Sequence, residues 1–209
     1  MTPLASALAE RGWHAAVIDN RAAVQSPSAF LEHAVEQVPW RDAILVGHSG
    51  AGAFLPAIAA RTAAAAAVFV DAILPPANAA FRPSTRFIEF LETVPTVDGQ
   101  LAPWDQWWPA GTMQELIADD DARTLVVSEF PRVPRSFYDH QVEVASGWSR
   151  RLCCYLRLSL AYDQEGERAA TWGWPMGRID GQHLDLIGHT QVIAEHVIRL
   201  VELLHLPGA

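Results

Sequence analysis

The sequence predicts an α/β fold in which a mostly parallel β-sheet is flanked by helices. Short apolar runs typical of buried strands alternate with amphipathic stretches typical of helices, both before residue 76 and after residue 151. One apolar run ends in Gly47-His48-Ser49-Gly50 and passes directly into an alanine-rich helical pattern, giving the order strand, sharp turn, helix. With 209 residues, 50% of them apolar, the chain is expected to form a single domain over residues 1–209.

The elements can be assigned in chain order from these patterns. Helices are predicted over residues 3–11, from residue 27, over 50–61 and over 164–171, and an amphipathic helix closes the chain. Strands are predicted over residues 13–18, 42–46, 65–70, 153–159 and 174–179. Strands that alternate with helices in this way imply a parallel sheet with right-handed crossovers.

The turn at Ser49 has the spacing of a nucleophile elbow. A serine on a very tight turn between a strand and a helix needs small neighbours two residues to either side, and Gly47 and Ala51 meet this need. The turn raises the hydroxyl above the sheet edge and directs the backbone N–H of Gly50 toward a developing oxyanion. The alternative is a phosphate-binding loop, but neither a Gly-x-Gly-x-x-Gly nor a Gly-Lys-Ser/Thr pattern is present. We therefore interpret Ser49 as a nucleophile.

This pattern resembles the α/β-hydrolase superfamily, and the resemblance covers nearly the whole chain. Members of that superfamily carry a nucleophile, an acid and a histidine in that order. His183 lies in a Gly-x-His loop between the last strand and the C-terminal helix, a match that implies a general base toward Ser49. Asp163 follows the penultimate strand, the usual place of the acid, and is the residue we favour. Asp71, at the end of an earlier strand, is the alternative acid because some relatives place it there.

The regular alternation of strands and helices is lost between residues 76 and 151. Many α/β-hydrolases insert a lid after the strand that follows the elbow helix, and the resemblance implies a small helical lid here. Trp104, Trp107 and Trp108 are candidates to line an apolar substrate pocket together with His48. Alternatively, the three tryptophans pack the lid onto the sheet, and His48 packs at the elbow.

The resemblance begins late, because the superfamily normally has a further strand and a loop rich in His and Gly before the helix that starts here at Pro3. That loop supplies a second oxyanion N–H, and that strand lies beside the elbow strand. Three explanations are open for how the elbow strand finds a neighbour: the strand at residues 13–18 shifts inward, a partner chain supplies the pairing, or the sequence starts downstream of the natural start. Unpaired sheet edges promote association, so we also consider a homo-oligomer.

The chemistry implied by the resemblance is acyl transfer to water. Ser49 would attack an ester, thioester or lactone of an apolar or aromatic acyl group, and His183 would activate the water that releases the acyl-enzyme. No organic cofactor is needed, and no metal is expected because no His/Asp/Glu cluster has ligand spacing. The alternative is a degenerate or non-hydrolytic member, ligand-binding or cyclase- or lyase-like, that lacks a complete oxyanion hole.

Charge and composition argue against nucleic-acid and membrane partners, so the expected partners are a small-molecule substrate, which the resemblance implies, and a second copy of the chain. The net charge of −9 argues against nucleic acid. No long uninterrupted apolar stretch and no signal-peptide pattern is visible, so we expect no membrane partner and a cytoplasmic location. The two cysteines, Cys153 and Cys154, are adjacent and compatible with a reducing compartment.

Overall fold

The computed structural model describes residues 2–206, which contain nine α-helices and six β-strands. The helices are α1 (Thr2–Ala9), α2 (Pro27–Gln37), α3 (Leu55–Thr62), α4 (Thr85–Leu91), α5 (Thr112–Leu116), α6 (Asp120–Ser128), α7 (Asp163–Thr171), α8 (Asp185–Gly188) and α9 (Thr190–Glu202). The strands are β1 (Ile44–Ser49), β2 (Ala66–Ala72), β3 (Thr96–Val97), β4 (Gln100–Leu101), β5 (Cys153–Arg157) and β6 (Met176–Arg178). None of these helices is both long and apolar enough to cross a membrane.

Four strands form one parallel sheet in the order β1-β2-β5-β6. All residues of β2 and β5 are buried, as expected for strands that have neighbours on both sides and helices on both faces. Their side chains alternate between two apolar layers. Val68 and Leu156 pack with α1 and α9 on one face, whereas Phe69 and Tyr155 pack with α2 and α3 on the other. The predicted parallel sheet flanked by helices is confirmed.

The helix that begins at Pro27 shows how local sequence sets an element boundary. The hydroxyl of Ser26 accepts a hydrogen bond from the backbone N–H of Ala29 at 3.1 Å, which satisfies one of the free donors of the first turn. Proline occupies the first helical position, where its missing N–H costs nothing. The helix begins at residue 27, as predicted from the sequence.

The strand expected at residues 13–18 is not formed, and this prediction was wrong. The only backbone hydrogen bond of this segment within the described chain runs from the N–H of Trp13 to the carbonyl of Leu8 at 3.1 Å. Trp13 and Val17 stay 37% and 40% exposed. A short apolar run can cover the side of a groove as well as enter a sheet, and periodicity alone does not separate the two.

The outer edge of β1 consequently has no strand beside it among residues 2–206. A groove of about 540 Å³ runs along this edge, between β1 and the extended segment that includes Trp13 and Val17. The groove reaches His48 and Ala51 at the end of β1, so it ends next to the predicted nucleophile.

Residues 76–151 add no strand to the main sheet. They contain α4, α5, α6 and a small antiparallel hairpin of β3 and β4. Leu91, Val94, Leu101 and Ala102 form a separate small core in this segment, while Met113 and Ile117 join the core on the α9 face of the sheet. The interpretation of this segment as a lid stays a prediction.

Candidate active site

Ser49 is the last residue of β1 and has the backbone angles φ 56° and ψ −130°. Positive φ is uncommon for a residue with a side chain and marks local strain. The turn closes tightly against the next strand, since the N–H of Ile73 donates to the carbonyl of Ser49 at 3.0 Å. A Cβ on Gly52 would lie 2.2 Å from the carbonyl oxygen of Ile73, and one on Gly47 would lie 2.7 Å from the side chain of Leu55. Close packing therefore requires glycine at Gly52, which faces a backbone carbonyl, and leaves little room beside Gly47, whereas Gly50 has open space around the position of a Cβ.

A β-bulge places Asp71 beside this turn. The pairing of β1 with β2 is regular as far as His48 opposite Val70, but Ser49 then lies opposite Ala72. Asp71 is the extra residue in β2, and its φ of 42° shows the local change of backbone direction. A bulge redirects the side chain that it carries.

The carboxylate of Asp71 is fully buried, and four hydrogen bonds satisfy it. Oδ1 accepts from the backbone N–H groups of Leu158 and Ser159, at 2.8 and 3.0 Å. Oδ2 accepts from the hydroxyl of Ser159 at 2.6 Å and pairs with Nδ1 of His183 at 2.8 Å. Burial alone raises the pKa of Asp71, but the bonds from His183, Ser159 and Leu158 outweigh it, so the pKa lies below its usual value. Asp71 is therefore an ionised acceptor that fixes the imidazole.

His183 lies in the loop between β6 and α8 with 13% of its side chain exposed. Because a carboxylate can only accept, Nδ1 of His183 carries the proton, and Nε2 is left to accept one. Within the described chain no hydrogen bond joins His183 to Ser49; the Ser49 hydroxyl is paired with Tyr162 instead.

His48 supports His183 from the elbow side. The two imidazole rings are stacked with centroids 4.3 Å apart, and Nε2 of His48 pairs with the backbone carbonyl of His183 at 2.9 Å. Burial, followed by the charge of the neighbouring His183, lowers the pKa of His48 to about 3. A neutral His48 donates its Nε2–H to that carbonyl and holds the loop of His183 in place.

Solved structures of low sequence identity share this architecture. A pyrethroid hydrolase is 12% identical with a TM-score of 0.65, and the match covers 96% of this chain and 91% of that chain. Tomato methylketone synthase I is 10% identical with a TM-score of 0.64, covering 97% and 91%. A protein from Burkholderia cenocepacia assigned as an aryl esterase is 16% identical with a TM-score of 0.55, covering 91% and 75%. No protein-family model matches the sequence, and no curated protein matches it.

The chain has the α/β-hydrolase fold.

Asp163, the acid that we favoured from the usual order in this fold, does not contact His183. Its Oδ1 forms an ion pair with Nε of the buried Arg157 at 2.9 Å, and it begins α7, where a negative charge is favourable. A buried guanidinium needs a carboxylate partner, which holds Asp163 to the end of β5. The carboxylate that pairs with His183 is that of Asp71.

Tyr162 is a site residue that the sequence analysis did not identify. Its hydroxyl lies 3.3 Å from Oγ of Ser49, and its ring is stacked on the His183 imidazole with centroids 5.0 Å apart and planes 9° apart. It precedes Asp163 in the loop after β5, where the acid was expected. A tyrosine there carries no sequence signal that distinguishes it from a packing residue.

The three tryptophans that we expected to line the pocket lie in different surroundings. The ring of Trp104 is 6.4 Å from that of His183, so this tryptophan borders the site. Trp107 donates its Nε1–H to the carbonyl of Ala102 at 2.7 Å and packs within the aromatic cluster of residues 76–151. Trp108 stacks on Phe90 and is 37% exposed. Of these three tryptophans, Trp104 alone has its ring beside that of His183.

The N–H of Gly50, which we predict to be an oxyanion donor, lies at the elbow. It lies at the start of the 3₁₀ turn Gly50–Ala53 that leads into α3 and has no hydrogen-bond partner in residues 2–206. These residues also contain no group of three or more His, Cys, Asp or Glu side chains placed to hold a metal ion.

Proposed function

We propose that the protein is a serine hydrolase that cleaves an ester, thioester or lactone through an acyl-enzyme on Ser49. The observation that carries this proposal is the 2.8 Å bond between Asp71 and Nδ1 of His183, next to a serine on a strained elbow. Ser49 is the nucleophile, His183 the general base and Asp71 the acid that orients it. Two of the proteins that share the fold are named a hydrolase and an esterase, which supports hydrolysis as the reaction class.

Acylation begins when Nε2 of His183 takes the proton of the Ser49 hydroxyl. Oγ forms a bond to the carbonyl carbon, and the carbonyl π electrons move to the oxygen, which the N–H of Gly50 stabilises. The tetrahedral intermediate collapses as the bond to the leaving oxygen or sulfur breaks, and the leaving group takes the proton from Nε2. In deacylation a water molecule gives a proton to Nε2 of His183 and attacks the acyl carbon. The bond to Oγ then breaks, Oγ takes the proton from Nε2, and the products are a carboxylic acid and free Ser49.

The electrostatics of Asp71 suit this cycle. The imidazole becomes positively charged twice in each turnover, and the buried carboxylate lies at hydrogen-bond distance from it. Because the pKa of Asp71 is lowered, the carboxylate stays ionised at neutral pH and stabilises each imidazolium. His48, whose pKa is near 3, adds no competing positive charge.

The aromatic surroundings favour an apolar or aromatic acyl group. Trp104 borders His183 and packs edge-to-face against Trp108 and Phe130, which together form an apolar surface beside the imidazole. Apolar surfaces that carry a few convergent polar groups are typical of small-molecule sites.

A second candidate is a non-hydrolytic catalyst or binding protein that uses the same site. No strand lies beside the outer edge of β1 in the described residues, and in the superfamily the strand expected there leads into the loop that supplies the second oxyanion N–H. This favours the second candidate, because Gly50 is then the one oxyanion donor at the elbow among the described residues. Loss of one such donor costs about 10²- to 10³-fold in turnover in serine hydrolases. The shared fold of a methylketone synthase is consistent with other chemistry.

A fluorophosphonate probe tests the proposal directly. We expect the wild-type protein to form an adduct on Ser49, located by peptide mass analysis, because the probe reacts only with an activated serine. Ser49→Ala and His183→Ala should abolish the adduct, whereas the matched control His189→Ala, an exposed histidine in the next loop, should leave it unchanged. A folded wild-type protein that stays unlabelled would reject the hydrolase and favour the second candidate.

A further inference from the structure

Tyr162 joins the two central groups of the site. Its hydroxyl is the hydrogen-bond partner of Ser49 Oγ at 3.3 Å, and its ring lies parallel to the imidazole of His183. With His48 stacked at 4.3 Å from His183 and Tyr162 stacked at 5.0 Å, two aromatic rings contact the imidazole. No other hydroxyl of the described chain forms a hydrogen bond with the Ser49 side chain.

We infer that Tyr162 is a further catalytic residue, which donates its phenolic hydrogen to Oγ of Ser49 and stabilises the negative charge that this oxygen carries during acyl transfer. The inference rests on the proposed function. It assigns to the loop after β5 a donor that acts on the nucleophile itself rather than on the carbonyl oxygen.

The direction of the hydrogen bond follows from the number of hydrogens available. Ser49 has one hydrogen, which it must give to Nε2 of His183, so its oxygen can only accept from Tyr162 while it reacts. Burial raises the pKa of Tyr162 to about 12, so the phenol keeps its proton throughout the cycle and is not the general base. Tyr162 thus supplies a hydrogen bond and no net proton transfer.

The benefit is greatest when Oγ carries most charge. A hydrogen bond to an ionised oxygen is about twice as strong as one between neutral groups. Oγ gains negative charge as its proton moves to His183 and gains it again as the leaving atom during deacylation. A donor that faces Oγ therefore stabilises both transition states more than the resting hydroxyl.

A buried arginine fixes Tyr162 and His183 relative to each other. Nε of Arg157 pairs with Asp163, the residue after Tyr162, and Nη2 of Arg157 pairs with Asp180, three residues before His183. The Arg157 side chain is 4% exposed, so both loops are tied to the end of β5 by one guanidinium. This arrangement holds the phenol over the imidazole without contact from the substrate.

The test compares Tyr162→Phe with the matched control Tyr138→Phe. Both variants lose one phenolic oxygen, but Tyr138 lies in the aromatic cluster with Trp107 and Phe87. Phenylalanine keeps the ring that stacks on His183, so the first variant removes the hydroxyl alone. The rate of fluorophosphonate labelling, the kcat and KM for p-nitrophenyl acetate, and the thermal unfolding midpoint are measured for each protein.

We expect Tyr162→Phe to lower the labelling rate and kcat by about tenfold while KM and the unfolding midpoint stay unchanged, because the lost bond acts on the reacting oxygen. Tyr138→Phe should match the wild type in labelling and kcat. If the wild type is labelled and Tyr162→Phe is labelled equally fast or faster, the inference is overturned and the proposed function stands. If the folded wild type is not labelled, both are overturned.

Discussion

Replacing Asp71 by asparagine tests which carboxylate serves His183. The side chain keeps its size, and its amide oxygen can accept the two backbone N–H bonds from Leu158 and Ser159 that Oδ1 accepts now. The amide NH₂ then occupies the place of Oδ2 and faces Nδ1 of His183. The opposite orientation of the amide would set two donors against two backbone N–H groups, at a cost of about 1–3 kcal/mol for each unsatisfied group.

An NH₂ group at this place reverses the tautomer of His183. Nδ1 must now accept, so the proton moves to Nε2, and Nε2 can no longer take the proton of Ser49. The same change in a serine protease triad lowers kcat about 10⁴-fold with the geometry intact. At 1.36 kcal/mol per factor of ten this is a loss of about 5 kcal/mol of transition-state stabilisation. We therefore expect Asp71→Asn to lose about 10⁴-fold in kcat and to remain folded.

The matched control is Asp163→Asn, assayed beside Asp71→Asn with p-nitrophenyl acetate. Asp163→Asn weakens the tie that Arg157 makes beside Tyr162, but the Asp163 side chain is 44% exposed and Arg157 retains its pairing with Asp180. We therefore expect kcat to fall by at most about tenfold, the loss expected when the hydroxyl of Tyr162 no longer acts on Ser49. Urea unfolding of both variants establishes that the proteins compared are folded. A larger loss of kcat in Asp163→Asn than in Asp71→Asn would refute the assignment of the acid.

Three further predictions concern the surroundings of the site. The free energy of unfolding, measured in urea, should decrease as the pH falls from 7 to 5. Burial lowers the pKa of His48 to about 3, so below about pH 6.5 the unfolded chain binds a proton at this residue and the folded chain does not. The free energy of unfolding of His48→Gln should therefore decrease less than that of the wild type over the same range. Gly52→Ala should lose about 3 kcal/mol of stability to urea, because its Cβ would meet a backbone carbonyl, whereas Gly50→Ala, with open space around its Cβ, should stay within about 0.5 kcal/mol; equal stabilities would contradict the packing argument. Trp104→Ala should lower kcat/KM for esters of apolar or aromatic acyl groups by about tenfold, because this ring borders His183. Trp107→Ala, which removes a partly buried ring and its hydrogen bond to Ala102, should mainly lower stability, by about 2 kcal/mol; the reverse pattern would remove Trp104 from the substrate surface.

Local context made Ser49 and His183 recognisable as candidate site residues. The elbow needs small residues at fixed spacing within a few positions, and those residues are visible in the sequence around Ser49. His183 follows a glycine in the loop after the last strand of the sheet, a place that brings it to the carboxyl end of the sheet. Neither inference required knowledge of how two distant segments pair.

The carboxylate that pairs with His183 could not be predicted in the same way, because its position depends on a bulge between two strands. Asp71 directs its carboxylate toward His183 only because β2 contains one residue more than β1 opposite Ser49. In the sequence this residue is simply the end of an apolar run, and nothing distinguishes a regular pairing from a bulged one. The prediction of a strand over residues 13–18 was wrong for a related reason, since strand formation depends on a pairing partner that periodicity does not reveal.

The position of Asp71 on β2 also explains what the loop after β5 contributes to the site. β2 lies between β1 and β5 and is buried along its length, so a carboxylate on its bulge is held by the centre of the sheet. The backbone N–H groups that follow β5 serve this carboxylate, and Asp163 serves Arg157. The turn Leu160–Tyr162, which lies between these two contacts, directs the phenol of Tyr162 toward Ser49. Under the proposed function, an acid on β2 therefore leaves the loop after β5 free to supply a hydrogen-bond donor to Ser49.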